Sequence, residues 1–167
     1  MDKRVIAIII ILIIGIGCMF YTASNSNTVG SAITSFSKTI ITLPHGFSVE
    51  DTTHKTAQLY NKNTPEKINI SDLGKTDFAS ERYEDTLKAL RENPNINDIT
   101  PSTKTVNNLS VYTIAYNDGG TKYSSFVYAC NHTYGINMTG YDDANKANDN
   151  LEFIIKTIQP DYKKGKK

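Results

Sequence analysis

LSVYTIAYNDGGTKYSSFVYAC, from Leu109 to Cys130, is the stretch whose reading decides the fold. Two runs of alternating, β-branched and aromatic residues flank Asn117-Asp118-Gly119-Gly120-Thr121. An Asp-Gly pair between two such runs supplies the positive φ angles of a tight hairpin turn, so Asp118-Gly119 is read as the turn between antiparallel strands. Working outward, HTYGINMTGY continues the meander and places Tyr134, Ile136 and Met138 on one face. On the other side, TPSTKTVNN pairs back onto LSVYTIAYN through Asn107-Asn108. Four neighbouring antiparallel strands follow from this one region.

The period changes on both sides of the meander. In TDFASERYEDTLKALRENP, Ala79, Tyr83, Leu87 and Leu90 recur at helical spacing, with Phe78 beside them. Thr76 or Asp77 is placed to cap the start, and Pro94 stops the helix. After the meander, DDANKANDNLEFIIKTIQP puts Ala147, Leu151, Ile154, Ile155 and Ile158 on one stripe, capped by Asp142 or Asp143 and ended by Pro160. Before the first helix, KTIITLP, the alternation of Phe47 and Val49, KTAQLYN and KINISDL read as short strands. Strands, helix, meander, helix is the order of an α+β domain: a mostly antiparallel sheet covered by helices. Leu87, Leu90, Leu151, Ile154 and Ile158 are expected to pack on that sheet.

Leu43, Pro44, Gly46 and Phe47 match a Leu-Pro-x-Gly-Phe turn after a first strand. With the mid-chain helix, the asparagine-turned, tyrosine-rich meander and the closing LEFIIKTI helix, the chain resembles the PsbP-like fold. That sandwich is found in photosystem extrinsic subunits and in small exported prokaryotic proteins. The resemblance spans roughly residues 36–160 and implies a fold and a non-catalytic accessory role. It transfers no functional residue.

The N-terminus sets the compartment. From Val5 to Tyr21 run seventeen residues without a charge, a helix of roughly 25 Å against a hydrocarbon core of about 30 Å. Three readings compete: a retained single-pass anchor, a cleaved signal, and a lipoprotein attached through Cys18. Gly15 and Gly17 would allow a cut before Cys18, but Gly15 stands where a lipobox usually has Leu, so apolar length favours the retained span. Lys3 and Arg4 precede the run and no basic residue follows it before Lys38. Positive flanks stay cytoplasmic, so the N-terminus is expected inside and the domain outside. The chain thus divides into a cytoplasmic 1–4, an anchor 5–21, a stalk 22–37 of small polar residues, a domain 38–160 and a basic tail 161–167.

Residues 22–162 carry twelve basic against sixteen acidic side chains, which is no footprint for a phosphate backbone, so no nucleic acid partner is expected. Cys18 and Cys130 are the two cysteines; one lies at the membrane and one in a strand pattern, so no intrachain disulfide is expected.

Chemistry is sparse. His45, His54 and His132 are the only histidines and form no zinc-type spacing. Asp142 and Asp143 do not begin an EF-hand loop. No nucleophile elbow, phosphate loop or dinucleotide fingerprint occurs, and no cofactor is expected. Four sequons, at Asn69, Asn108, Asn131 and Asn137, permit glycosylation where the machinery exists. The chain has ten Tyr and no Trp. Tyr112, Tyr116, Tyr123, Tyr128, Tyr134 and Tyr141 fall on or beside the meander, where they serve as sheet packing or, if exposed, as a partner surface. Tyr112, Tyr116, Tyr123, Tyr128 and Tyr134 are the candidate surface for a cell-surface protein or glycan. The expected function is therefore a membrane-anchored extracytoplasmic accessory or binding module. A small surface hydrolase whose site is not legible in the sequence is the alternative.

Overall fold

The computed structural model describes residues 33–36 and 39–160. The expected anchor at 5–21, the stalk up to residue 32 and the tail 161–167 lie outside the described residues. No helix among the described residues is long and apolar enough to cross a membrane.

Among the described residues ten strands and two helices follow in the order β1 (Ile33–Phe36), β2 (Thr39–Thr42), β3 (Phe47–Thr52), β4 (Thr56–Asn61), β5 (Lys67–Gly74), α1 (Ala79–Glu92), β6 (Asn97–Val106), β7 (Leu109–Asn117), β8 (Thr121–Ala129), β9 (His132–Thr139), α2 (Ala144–Thr157) and β10 (Gln159–Pro160). Seven strands form one sheet in the order β3-β4-β5-β9-β8-β7-β6, and every neighbouring pair in it is antiparallel. The topology is two meanders. The chain leaves β5, crosses through α1 to the far edge at β6, and returns strand by strand until β9 closes against β5. The expected mostly antiparallel α+β architecture is what the chain adopts.

The two faces of the sheet are covered differently. On one face α2 and β2 seal the larger core, where Leu151, Ile154, Ile155 and Ile41 meet Leu59, Ile70, Ile136 and Met138. On the other, α1 lays Ala79, Tyr83 and Leu87 over Ile114 and Phe126, and its contacts run to β6, β7, β8 and β9. Leu87, Leu151 and Ile154 are buried as expected, while Leu90 and Ile158 pack only at the margins.

Strand pairing starts ahead of the expected Lys38. β1 pairs with β2 from Ile33↔Thr42 to Phe36↔Thr39, so the end of the 22–37 stretch belongs to the domain. The β-branched and aromatic letters of ITSF were masked by the small polar residues around them. After α2, Gln159 and Pro160 pair with Ile40 and Thr39, making a second sheet of order β1-β2-β10.

The turns also refine the expectation. Asn107 and Asn108 both have positive φ, 51° and 62°, as the β6–β7 hairpin requires. In the β7–β8 connection the positive angles fall on Gly119 and Gly120, not on Asp118, because Asn117↔Thr121 is the closing pair and leaves three residues in the loop. Cys130 is not a strand residue: it shares a turn with Asn131, φ 52° and 62°, closed by Ala129↔His132. At α2 the Asp143 carboxylate caps as expected, accepting from Asn145 N at 2.8 Å. At α1 the N-cap is Phe78, without a side-chain cap of its own. Thr133, fully buried in β9, holds that helix start instead: its hydroxyl accepts from Phe78 N at 3.2 Å and donates to Thr76 O at 2.7 Å.

Candidate functional site

The register divides the five candidate tyrosines between faces. Tyr112, Tyr116 and Tyr128 lie on the α1 side, half-buried around Ile114 and Phe126. Tyr112 packs against Tyr83 with ring centroids 5.5 Å apart. Tyr123 lies on the opposite face, edge-on to buried Tyr141. Tyr134 is fully buried and its hydroxyl hydrogen-bonds Thr39, so it is removed from the candidate partner surface. Burial pushes its phenol up to about 12, outweighing the hydrogen bond to Thr39 that works the other way. Period-two alternation fixes the face of each tyrosine; it carries no information about which stretches of a face a helix will cover.

The surface that remains open is the β3–β5 side of the α1 face, reaching into β9 and β8. One cross-strand row there is Gln58↔Asn69↔Asn137↔Ser124. The next row runs Tyr60↔Lys67↔Thr139↔Lys122↔Tyr116. Gln58, Lys67, Asn69 and Asn137 are exposed, and Tyr60, Thr139, Lys122 and Tyr116 are half-buried. Behind them Leu59, Ile68, Ile70 and Met138 face the core. The alternation therefore sets a rigid apolar layer beneath a polar one. Gln58, Lys67, Asn69, Asn137 and Glu50 surround a depression of about 290 Å³.

Each lysine charge on this face has a carboxylate beside it, and Asp51, opposite Gln58 on β3, adds one further negative charge. Lys67 Nζ lies 3.5 Å from Glu50, and Lys122 Nζ lies 2.6 Å from Asp118. Ser124 Oγ donates to Asn137 Oδ1 at 2.9 Å. Among the described residues no hydrogen bond engages the side-chain amides of Gln58 and Asn69, or the NH2 of Asn137. Each is held on a paired strand and keeps donor and acceptor capacity for something else. Sequence reasoning had not grouped these residues. The signal was present in the polar positions of TAQLYN, KINIS and GINMT, but only the strand order β4-β5-β9 brings them side by side.

Of the histidines, His45 and His54 are exposed in turns. His132 is not: its Nδ1 lies 2.9 Å from both carboxylate oxygens of Asp72, whose side chain is 5% exposed. A carboxylate only accepts, so Nδ1 carries the hydrogen. Asp72 is itself oriented by Gly74 N at 2.9 Å. Burial raises the thiol of Cys130, the neighbouring turn residue, and keeps it protonated. The sequence held no local sign of the His–Asp pair, since its members lie on β5 and β9. Asp142 is exposed and Asp143 is spent on the α2 cap. Among the described residues no group of three metal-ligating side chains converges.

No family model matches the chain, and no curated protein matches it. Solved structures do. The solution structure of cyanobacterial PsbP, CyanoP from Synechocystis sp. PCC 6803, is similar with a TM-score of 0.49 at 11% identity, covering 81% of this chain and 96% of that one. A crystal structure from Bacteroides thetaiotaomicron VPI-5482 is similar with a TM-score of 0.44 at 12% identity; the match covers 80% of this chain and 49% of that one, so the chain spans about half its length. At these identities neither likeness transfers a residue role.

Proposed function

We propose that the chain is a membrane-anchored, extracytoplasmic binding module whose partner, a cell-surface protein or glycan, docks on the open part of the sheet. The observation that carries the binding reading is the cross-strand set Gln58, Asn69 and Asn137: exposed amides on three adjacent paired strands around one depression. A preorganised surface with unengaged donors and acceptors binds without reordering itself. The anchoring reading rests on the uncharged Val5–Tyr21 run and the Lys3-Arg4 flank. In non-ionic detergent, which takes the anchor's contact with the bilayer out of the measurement, immobilised envelope material of its source cells should still retain the full-length chain, and a double Asn69→Ala, Asn137→Ala variant should not be retained. Equal retention of both would remove the sheet face from the reading. Mass spectrometry of the mature N-terminus tests the anchor: an intact Met1 supports the retained helix, and a lipid-modified Cys18 at the terminus replaces it with the lipoprotein form.

A second reading has a specific observation behind it. A histidine oriented by a buried carboxylate is the arrangement of a general base, and His132–Asp72 is such a pair. It supports the small surface hydrolase. Hydrolysis of an ester or glycoside panel that His132→Gln abolishes and His54→Gln leaves intact would favour that reading over the binding module.

A further inference from the structure

We infer that the open face takes an uncharged, hydroxyl-rich glycan chain lying across β4, β5 and β9; the inference rests on the binding-module reading and specifies its partner. Three features point to that chemistry.

The first is charge. Both lysines of the second row already face carboxylates of the protein, Lys67 with Glu50 and Lys122 with Asp118. A polyanionic wall polymer or phosphate-bearing chain would have to compete with those pairs, whereas an uncharged one would not. The second is the hydrogen-bonding inventory. A side-chain amide offers donors and acceptors side by side, and so does a pair of neighbouring sugar hydroxyls. Gln58, Asn69 and Asn137 lie on successive strands, so they repeat at roughly 4.8 Å, close to the advance of one ring along an extended polysaccharide. The third is what the face lacks for a protein partner. Such interfaces are anchored by an apolar or aromatic centre inside a polar rim. Here the order is reversed. The amides occupy the middle, Tyr60 and Tyr116 stand at opposite ends of the adjoining row, and Val49 is the single exposed large hydrophobic among the described residues. Half-buried tyrosine rings at the ends suit stacking against the C–H faces of sugar rings.

The test is affinity electrophoresis of the full-length chain through gels carrying a neutral glucan, a neutral mannan or an N-acetylated amino-sugar polymer, with a phosphate-bearing polymer as the charged arm. Retardation by at least one neutral polymer is expected, unchanged between low and high salt, and weakened at least tenfold by Asn69→Ala or Gln58→Ala. Both residues are exposed, so each variant should keep the thermal midpoint of the parent. Retardation by the charged polymer alone, fading with salt, would overturn the inference. So would retardation by a neutral polymer that ignores both substitutions. If the variants lose retention by envelope proteins and no polymer retards the parent, the glycan is wrong and the binding face stands. If no envelope fraction retains the parent at all, both readings fall. Mass spectrometry of the chain from its source adds an independent check: Asn69 and Asn137 should be unmodified, and a sugar attached at either would cover the face and overturn the inference.

Discussion

Gly140 ends β9 at a φ of +77°, and a Cβ built there would lie 2.7 Å from the carbonyl carbon of Pro65. Backbone crowding and a left-handed angle act together, so Gly140→Ala is expected to cost about 2–4 kcal/mol. Gly119, at φ +65°, has nothing within 4 Å, and its replacement by Ala should cost only about 1 kcal/mol, the conformational part alone. Chemical denaturation of the two variants gives the comparison; equal losses would mean that the approach of Pro65 is not what Gly140 accommodates. Next to this contact, Glu66 is buried at 2% exposure. Burial pushes its carboxyl up, but a hydrogen bond and opposite charge from Lys146, with hydrogen bonds from Thr64 and Asn61, outweigh it and hold the group below its ordinary 4.5. A carboxyl depressed in the folded state adds stability that is full above its unfolded value and is lost as pH falls through the folded one. Acid unfolding should therefore steepen below pH 4.5, and Glu66→Gln should flatten that limb while lowering stability at neutral pH. At this scale the sequence was least informative. Tyr134 and Tyr123 look alike as letters, yet one is fully buried and hydrogen-bonded to Thr39 and the other lines a crevice beside Ala147. Glu66, Asp72 and His132 acquire their roles from strands that meet only in the fold.

The helices separate cap chemistry from cap appearance. Both begin after an Asp, but only Asp143 accepts a good backbone hydrogen bond, whereas Asp77 reaches Ala79 N at 3.4 Å. Asp143→Ala should cost about 1 kcal/mol and Asp77→Ala much less, while Thr133→Val, which removes the hydroxyl that holds the start of α1, should exceed both. Thermal unfolding of the three variants decides the order. Within α2, Ile154 is fully buried, and truncation to Ala is expected to cost about 2–5 kcal/mol. Element type and order were largely legible, because a stripe such as Leu151, Ile154 and Ile155 has no strand reading and the β6–β9 alternation has no helical one. Boundaries and turns were less so. Cys130-Asn131 carries no glycine, yet closes a hairpin with two positive φ angles; a Cys after an alternating run simply extends the run on paper. The polar row of β4, β5 and β9 was hidden for a different reason: each strand showed its half of the pattern, and the register that assembles them is long-range.

For the molecule as a whole, the sheet β1-β2-β10 joins both ends of the domain, since β2 pairs with β1 on one side and with Gln159 and Pro160 on the other. A fragment starting at residue 39 leaves β2 without one neighbour. Its thermal midpoint should fall below that of a fragment starting at residue 33 by roughly 4 °C or more; equal midpoints would show that β1 adds nothing to the fold. The proposed anchoring would load the domain through β1, and that has a mechanical side. The four pairs of this hairpin run from Ile33↔Thr42 at its open end to Phe36↔Thr39 at the turn. Tension arriving through the residue before Ile33 pulls at the open end, while Thr42 leads into the body of the sandwich. Hydrogen bonds loaded in that direction break one after another rather than together. Each released residue lengthens the line by about 3.3–3.6 Å, roughly 13 Å for the strand. Under load β1 therefore peels like a zip and pays out slack, and the seven-stranded sheet with its exposed amides feels the pull only after that slack is gone.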